Sequence, residues 1–402
     1  MRGFQKINMG HRYTLLQCFY WIAGCALMGF AAVFLKSKGL SNTLVGLSVG
    51  GAAFVSIWMQ PILAGIIEKV KWLTIRKMLL IVIVLVAAGF LFLGRTELPS
   101  MAVVIGYLIL NTSFNSTIPL ITAMGMEYMN QGYEVNFCVS RGFGSVSYAV
   151  TAAFLGVLVE KFHPGILADL FVIMAAILFA VLYFMEEAEP VAVQNKTEKP
   201  KGVMEILRSN RSMLLFVIGF GFSYMTCAII GTYAVNVVHA LGGSDSTYGW
   251  AVFIYASSEM PAMLLCDRLL RKVSCQKLLK LSSLFFVIRA LVLLLAPNLP
   301  IAFFGFALQS LSFGVFTPVS VYFVNQELSP KDRVVGQAIF GMVTVGAGSC
   351  IGNLFGGFLA DRFGIRATLL ACVLMASFGF FVVSLVKTDK YANKKVTMEF
   401  DD

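Results

Sequence analysis

Residues 248–297 read YGWAVFIYASSEMPAMLLCDRLLRKVSCQKLLKLSSLFFVIRALVLLLAP, which is two apolar helices joined by a short basic turn. The first apolar run carries one acid, Glu259, and the second carries one base, Arg289. A charge in hydrocarbon costs at least about 2.5–3.5 kcal/mol on insertion scales, so such residues usually face a polar cavity and act there. This hairpin predicts membrane helices arranged around a polar pathway.

The composition extends this prediction to the whole chain. The 402 residues are 58% hydrophobic and only 13% charged, whereas soluble domains are about 25% charged. A chain this long and this apolar is an integral membrane protein. The net charge of +10 does not indicate nucleic acid binding, because the basic residues lie in short loops between apolar runs.

Apolar runs of about 20 residues recur along the chain and predict twelve membrane helices. Numbered in order, their approximate cores are 14–35, 43–67, 76–94, 99–126, 137–159, 165–185, 212–236, 247–266, 278–296, 299–325, 334–360 and 366–387. The first run is too long for a signal peptide, so we expect it to remain as helix 1.

A charged segment with two prolines, 186–211, follows helix 6 and is typical of a flexible linker. We therefore expect an N-terminal six-helix bundle over 1–185, a C-terminal six-helix bundle over 212–387 and a tail over 388–402.

The Lys and Arg residues predict the orientation. Of the 31, 23 lie in segments on the side of the N-terminus and 6 lie on the opposite side. By the positive-inside rule both termini and the linker are cytoplasmic. The prediction is a multi-pass protein of the cell (inner or plasma) membrane, and we call the opposite side the outer face.

Several classes of function are disfavoured. The eight cysteines are scattered without a CxxC pair, which indicates neither a disulfide framework nor a metal site. The sequence shows no nucleophile–base set or phosphate loop, as an enzyme would need, and no large soluble domain, as a receptor would carry. We expect no enzymatic activity and no cofactor.

The chain repeats itself at about half its length. Three segments return at an offset of 199–201 residues: 113–119 as 312–318, 154–162 as 355–363, and 68–69 as 267–268. This period predicts two homologous six-helix halves. Transporters built from such parallel repeats bind their solute between the halves, near the middle of the membrane.

Over nearly its whole length the chain resembles the major facilitator superfamily. Gly65-Ile-Ile-Glu68-Lys69, followed by Arg76-Lys77, resembles the signature of loop 2–3, with Glu for Asp and a longer spacing. Residues 357–366 resemble the related element between helices 11 and 12. The resemblance implies an all-α membrane protein of twelve transmembrane helices in two pseudo-symmetric six-helix bundles. It also implies gating or loop salt bridges at Glu68, Lys69, Asp361 and Arg362.

Within the superfamily the chain is similar to the oligosaccharide–proton symporters of the lactose permease group and to the phenylpropionate permeases. The residues that carry this similarity are Gln60-Pro61, the run 141–148, Glu259 and Arg289. In that group a helix 8 acid binds the substrate beside a helix 9 arginine.

The sequence places Glu259 and Arg289 at similar depths on consecutive antiparallel helices. Glu259 is eight residues from Asp267, roughly 12 Å, and Arg289 is twelve residues from Lys277, roughly 18 Å, at the helical rise. A long Arg side chain can bridge this difference. A carboxylate that loses such a neighbour takes up a proton more readily, which is the basis of proton coupling. The alternative is a fixed ion pair that only holds the fold.

The resemblance also gives helix 5 a role in solute binding. Arg141 corresponds to an arginine that binds sugar hydroxyls, which suits a planar fork of five donors, and Tyr148 to an aromatic that stacks on a sugar ring. The alternatives are a snorkelling arginine and a packing tyrosine. Glu127 ends helix 4 and either replaces the family's acid, whose position falls on Ala123, or caps the helix.

Helix 10 departs from the symporters, since Gln309 and Ser312 stand where they carry a histidine and an acid. Neither residue titrates near neutral pH, so a coupled proton would use Glu259 or Glu127. Uniport and sodium coupling stay open. Other polar or aromatic candidates, each more often a helix–helix contact than a ligand contact, are Gln17, Trp21, Gln60, Asn111, Asn115, Tyr224, Tyr255 and Asn353. Gln309, Trp21 and Tyr255 complete the predicted solute site.

We predict a secondary active transporter that takes up a sugar or oligosaccharide with a proton by alternating access. Arg141 offers a planar group of hydrogen-bond donors, Tyr148 offers an aromatic face for stacking on a sugar ring, and Glu259 offers an acceptor for sugar hydroxyls. The alternatives are a permease for a small aromatic carboxylate or nucleoside, and a non-sugar efflux transporter. The expected partners are a small-molecule substrate, H+ and the lipid bilayer, with no nucleic acid, and the expected state is a monomer.

Overall fold

The computed structural model of the protein describes residues 2–70, 72–187, 202–329 and 332–386. Within these ranges the secondary structure is helical, with no β-strand. Most of the predicted linker, 188–201, and the predicted tail, 388–402, lie outside the described residues.

Twelve membrane helices follow the predicted order, and four of them, helices 1, 4, 10 and 11, are built from more than one segment. The bounds are Arg2–Gly24, Cys25–Gly29 and Ala31–Ser37 (helix 1), Asn42–Lys69 (2), Ile75–Arg95 (3), Ser100–Asn115 and Ile118–Asn130 (4), Phe137–Lys161 (5), Ile166–Tyr183 (6), Arg211–Ala240 (7), Asp245–Lys272 (8), Cys275–Leu295 (9), Leu299–Ala307, Ser310–Gly314 and Val315–Glu327 (10), then Arg333–Gly341, Met342–Gly348 and Ser349–Ser384 (11 and 12). Gly364, with φ 80°, divides the last segment between helices 11 and 12.

Nine helices in the described ranges are long and apolar enough to cross a membrane, and the two parts of helix 1, bent by 45°, make a tenth. That count treats helices 11 and 12 as one stretch, which the turn at Gly364 separates. Helix 8 completes the twelve, although its acidic and basic residues make it less apolar. One feature was not expected: the predicted linker contains a short helix, Val203–Ser209, anchored by buried Ile206.

The two halves share one apolar core on the outer side. The larger buried cluster joins the N-terminal half to the outer ends of helices 7, 8, 9, 10 and 12, as at Tyr233, Tyr248 and Phe306. A second cluster contains only the cytoplasmic part of the C-terminal half, as at Phe216 and Phe323. Because burial of apolar surface drives packing, the halves are closed against each other outside and separate inside. With the predicted orientation, this arrangement is inward-facing.

Glycines bring the halves together at two helix crossings. A Cβ at Gly46 of helix 2 would lie 2.2 Å from the carbonyl oxygen of Asn353 in helix 11. A Cβ at Gly249 of helix 8 would lie 2.5 Å from the carbonyl oxygen of Ala152 in helix 5. Small residues of this kind allow membrane helices to approach closely.

Two carboxylates form hydrogen bonds between the halves at the outer ends of these helix crossings. Asp361 of helix 11 accepts hydrogen bonds from the backbone N–H of Asn42 (2.9 Å) and Thr43 (2.7 Å), and from their side chains at 2.8 and 2.6 Å. Glu160 of helix 5 accepts from the Ser244 hydroxyl (2.7 Å) and the Ser246 N–H (2.9 Å). Each carboxylate therefore lies at the N-terminus of a helix in the other half, where the helix dipole favours an anion.

We call these two contacts the outer latches. Glu160 and Asp361 are equivalent residues of the predicted repeat, and helices 2 and 8 are equivalent helices. The latches are thus related by the internal symmetry of the chain.

Candidate functional site

A break in helix 1 forms the outer wall of a central cavity. The π-helical turn Cys25–Gly29 interrupts the regular hydrogen-bond ladder, as such turns often do at functional sites. The Gly29 carbonyl accepts a 2.6 Å hydrogen bond from the Tyr248 hydroxyl. A Cβ at Gly29 would lie 2.6 Å from the Tyr148 hydroxyl, so glycine is needed for this tyrosine to pack against helix 1.

The cavity itself has a volume of about 220 Å³ and lies between the two halves. Tyr148 and Tyr255 line it and are hydrogen-bonded to each other. Helices 7 and 11 add Tyr224, Cys227 and Asn353. The Asn353 Oδ1 is buried without a hydrogen-bond partner among the residues described, and a buried orphaned acceptor is costly until something donates to it.

A larger depression of about 470 Å³ lies at the outer face, beside Glu160 and Trp250. It is formed by loop and helix ends and is lined by none of the predicted solute-binding residues. The smaller central cavity is therefore the better candidate for the transport site.

Arg141 lies beside Trp21 in the N-terminal half, and neither residue is part of the cavity lining. Its guanidinium carbon is 4.1 Å from the centre of the Trp21 indole, a cation–π distance, and its Nη1 donates to the Ser145 hydroxyl at 2.8 Å. A Cβ at Gly144 would lie 2.6 Å from Trp21 Cδ1, so glycine there admits the indole. Trp21 in turn donates to Gln17 at 3.2 Å. Neutral partners thus orient Arg141 towards the interior, which argues against the snorkelling alternative.

Glu259 and Gln309 form a hydrogen-bonded pair in the C-terminal half, and Glu259 follows the cavity residue Tyr255 by one helical turn. Gln309 Nε2 donates to Glu259 Oε1 at 2.8 Å, while Gln309 Oε1 has no partner in the described part of the chain. Gln309 precedes the π-helical turn Ser310–Gly314. At the end of that turn, a Cβ at Gly314 would lie 3.3 Å from the Glu259 Cα, so helices 8 and 10 are in close contact.

Arg289 of helix 9 is fully buried near this pair, with 1% of its surface exposed. Its Nη1 is 4.0 Å from the Cys227 sulfur, and its Nε has no partner among the described residues. Cys227 is also 3.9 Å from Gln309 Nε2. A small polar cluster of Glu259, Gln309, Cys227 and Arg289 therefore connects helices 7, 8, 9 and 10.

The direct contact expected between Glu259 and Arg289 is not formed. No ion pair within 4.0 Å joins them among the residues that the structure describes. Arg289 is directed to Cys227 instead, and Glu259 accepts its hydrogen bond from Gln309. The two charges interact at longer range. Arg141, in the opposite half, likewise forms no ion pair with Glu259 within 4.0 Å in the described ranges.

Other predicted residues lie away from this cluster. Glu127 is half-buried, with one carboxylate oxygen unpartnered within the described ranges, and it forms no ion pair with Arg141 there. The Ser312 hydroxyl donates to the Leu308 carbonyl at 3.0 Å and so caps its own helix.

Of the four predicted gating residues, Asp361 forms an outer latch, as described above. Glu68, Lys69 and Arg362 are exposed and form no ion pair with another described residue. Their gating roles stay predictions.

Cys227 was missed by sequence reasoning. It looks like one of eight scattered cysteines, yet it follows Tyr224 by three residues and so shares its helix face. Because Tyr224 was already a polar cavity candidate, its helix face could have indicated that Cys227 also reaches the cavity.

Known proteins resemble this chain over almost all of its length. The maltose permease of Geobacillus stearothermophilus is 23% identical over 386 residues, covering 95% of this chain and 96% of that protein. A probable 3-phenylpropionic acid transporter of Escherichia coli (strain K12) is 23% identical over 359 residues, covering 86% and 89%.

The crystal structure of the nucleoside transporter NupG has a TM-score of 0.76 at 15% identity, over 94% of this chain and 98% of that chain. This likeness confirms the predicted fold class, twelve helices in two pseudo-symmetric bundles. The sequence profile of the MFS_1 like family matches residues 11–387. The chain therefore belongs to the MFS_1 like family, and it is a major facilitator transporter rather than an enzyme.

Proposed function

We propose that this transporter takes up a small polar solute of the sugar or oligosaccharide class together with a proton, by alternating access. The observation that carries the proposal is a cavity of about 220 Å³ between the two halves, lined by Tyr148 of helix 5 and Tyr255 of helix 8, with Glu259 one helical turn beyond Tyr255 and hydrogen-bonded to Gln309. In this proposal the protein acts as a monomer in the cell membrane with both termini in the cytoplasm.

Alternating access is supported by where the halves meet. The apolar core is continuous across the halves only on the outer side. All the hydrogen bonds that cross between halves in the described residues lie at the outer ends or in the cavity wall, such as those of Asp361 and Glu160. Rocking of one bundle against the other would open these contacts and close the cytoplasmic side, as in other parallel-repeat transporters.

Glu259 is the proposed proton site. Among the described residues it is the carboxylate of the small polar cluster. It is half-buried, so we expect both solute and protons to reach it. Its hydrogen bond comes from a neutral amide, and its nearest cations are held beyond ion-pair distance. A carboxylate in this setting is able to change its protonation state, whereas one in a tight ion pair stays ionised.

The cavity suits a solute with hydroxyl groups and a flat face. The unpartnered Asn353 Oδ1 in the cavity lining offers an acceptor, and Tyr148 and Tyr255 offer ring faces. We propose Arg141 and Gln309 as a further donor and acceptor. A second candidate is a small aromatic carboxylate or a nucleoside. It is favoured by the aromatic rings of Tyr148, Tyr224 and Tyr255 in the cavity lining.

Transport by purified protein in proteoliposomes tests the proposal. With the lumen alkaline relative to the medium, we expect solute accumulation by the unmodified protein. Glu259→Gln should abolish accumulation and retain exchange of solute between the two sides, because binding survives while the coupled proton is lost. Asp169→Asn, which removes an outer-face carboxylate that pairs with Arg95 away from the cavity, is the matched control and should accumulate normally.

The competing arm is Glu127→Gln. If that variant loses gradient-driven accumulation and Glu259→Gln retains it, Glu127 is the coupling site and the proposal is wrong.

A further inference from the structure

The depression at the outer face lies on the boundary between the two halves. Helix 5 of the N-terminal half contributes Val157, Glu160 and Lys161 to its lining, while helices 8 and 10 of the C-terminal half contribute Trp250 and Phe303. Its volume of about 470 Å³ exceeds that of the central cavity. Because both halves form its walls, the depression exists in this shape only while helices 5 and 8 are in contact.

The charged side chains of the depression have unused capacity for hydrogen bonds. Both bonds that Glu160 accepts in the outer latch end on its Oε2, so its Oε1 has no partner in the described ranges. Lys161 forms no ion pair within 4.0 Å and no hydrogen bond with another described residue. The hydroxyl of Ser246 has no described partner either, since Ser246 donates to Glu160 through its backbone N–H. The depression therefore presents a free anionic acceptor and a free cationic donor on consecutive residues.

An apolar, exposed strip continues from the depression towards the middle of the membrane. Phe154, Val157 and Lys161 are spaced i, i+3 and i+7, so they lie along one face of helix 5. The Phe154 side chain is 67% exposed and lies roughly two turns deeper than Lys161. On helix 8, Trp250 is 48% exposed and packs edge to face on Phe253, one turn deeper, with 5.5 Å between ring centres. A ligand that fits here has a charged end at the membrane surface, where Trp and Lys are typical anchors, and an apolar body in the bilayer.

We infer that the depression binds the headgroup of phosphatidylethanolamine from the outer leaflet. The phosphate lies against Lys161 and the Ser246 hydroxyl, the ammonium against Glu160, and one acyl chain along Phe154. An anionic phosphatidylglycerol satisfies Lys161 but brings no cation to Glu160, and phosphatidylcholine brings a cation without N–H donors. Of these three lipids, phosphatidylethanolamine alone supplies a phosphate acceptor together with an ammonium that donates hydrogen bonds, and hydrogen bonds between charged groups are the stronger ones.

The bound lipid couples the bilayer to the conformational equilibrium. Helices 5 and 8 touch beside the depression, since a Cβ at Gly156 would lie 2.7 Å from the carbonyl oxygen of Asp245. Opening of the outer face separates these helices and moves Lys161 away from Ser246 and Trp250. A ligand that binds one state better shifts the equilibrium towards that state. Phosphatidylethanolamine should therefore stabilise the inward-facing arrangement, whichever solute is carried.

Native mass spectrometry tests the binding. The protein is released from nanodiscs that contain equal amounts of phosphatidylethanolamine, phosphatidylcholine and phosphatidylglycerol with identical acyl chains, and the retained lipids are identified by mass. Lys161→Gln should lower the retention of phosphatidylethanolamine by about two- to fivefold, the range that an exposed ion pair supplies. Arg95→Gln, at an exposed outer ion pair within the N-terminal half, is the matched control and should retain this lipid like the unmodified protein. Equal retention of the three lipids by the unmodified protein, or unchanged retention after Lys161→Gln, overturns the inference.

Hydrogen exchange over residues 244–249 tests the conformational consequence. Two nanodisc preparations contain the same share of phosphatidylglycerol and either phosphatidylethanolamine or phosphatidylcholine as the remaining lipid. Exchange should be about two- to fivefold slower with phosphatidylethanolamine, because opening of the outer face then requires loss of the bound headgroup. The difference should vanish in Lys161→Gln and persist in Arg95→Gln. Exchange of the unmodified protein at one rate in both preparations overturns the coupling between lipid and conformation.

A soluble form of the headgroup separates a lipid ligand from a free solute. Glycerophosphoethanolamine carries the same phosphate and ammonium as the lipid but lacks the acyl chains. Added to the phosphatidylcholine nanodiscs, it should leave exchange over 244–249 unchanged, because it makes no contact with the apolar strip. Protection equal to that by phosphatidylethanolamine would assign the depression to a soluble zwitterion and overturn the lipid assignment.

Discussion

The outer latches hold the inward-facing state, and Asp361→Asn should release it. Asparagine keeps one carbonyl oxygen, which can still accept from the backbone and side chain of Asn42. Its Nδ2 would face the two donors of Thr43, which now donate to Asp361 at 2.7 and 2.6 Å. The substitution therefore removes two hydrogen bonds and the charge at the N-terminus of helix 2.

The size of the effect follows from these contacts. A charge at an exposed helix N-terminus is worth about 0.3–1 kcal/mol, and a typical hydrogen bond contributes about 0.5–1.5 kcal/mol net. Because Asp361 is exposed, we take the low end and expect about 1–2 kcal/mol in favour of the outward-open state. This corresponds to a shift of about 5- to 30-fold in the equilibrium between the two states.

Hydrogen exchange followed by mass spectrometry in nanodiscs measures this shift directly. Amides in 42–50 and 353–361 lie where helices 2 and 11 meet, so their exchange follows opening of the outer face. Glu160→Gln should increase exchange near 244–249, and the double variant should approach the sum of the two effects because the latches share no partner.

The control is again Asp169→Asn, whose carboxylate pairs with Arg95 within the N-terminal half. If Asp361→Asn and this control exchange at the same rate over 42–50, the latch does not bias the conformational equilibrium, and the reasoning from the helix N-terminus is refuted.

Two glycine substitutions test the close contacts. Gly46→Ala places a Cβ 2.2 Å from the backbone oxygen of Asn353, which cannot move away, so hydrogen exchange at the outer face should rise as in Asp361→Asn. The control is Gly51→Ala, whose Cβ meets only the side chain of Leu108. Equal exchange in the two variants would count against the prediction. Gly144→Ala places a Cβ 2.6 Å from Trp21 and should push the indole off Arg141, weakening solute affinity by about 2- to 30-fold for a lost cation–π contact. Gly142→Ala, with open space around its Cβ, should bind normally, and matching affinities for these two variants would show that Trp21 does not support Arg141.

The fold was predictable because its signals are long and repeated. Twenty-residue apolar runs, the distribution of Lys and Arg and the offset of 199–201 residues each average over many positions. The breaks in helices 1, 10 and 11 were not predictable, since the π-helical turns depend on tertiary contacts such as the packing of Tyr148 against Gly29.

For the candidate site, the sequence indicated the depths of the charged residues but not their contacts. Counting residues placed Glu259 and Arg289 at similar depths, and the structure indeed connects them to one cluster. The count says nothing about rotation of each helix about its axis, which directs Arg289 to Cys227 and leaves Gln309 to bind Glu259. For the same reason the sequence left open whether Glu127 replaces the family's helix 4 acid or caps the helix; in the described residues it forms no ion pair with Arg141.

The internal repeat divides the molecule into a symmetric part and an asymmetric part. The latch acids, Glu160 and Asp361, occur in both halves at an offset of 201 residues, whereas Arg141, Glu259 and Arg289 have no charged equivalents at 340–342, 58–60 or 88–90. A rocking motion of two similar bundles needs a closing contact contributed by each bundle, so the latch acids occur twice. One solute site between the bundles needs each binding charge only once, so those charges have no equivalents. Latch variants should therefore change the conformational equilibrium for every solute alike, while variants of the three central charges should change which solute is carried.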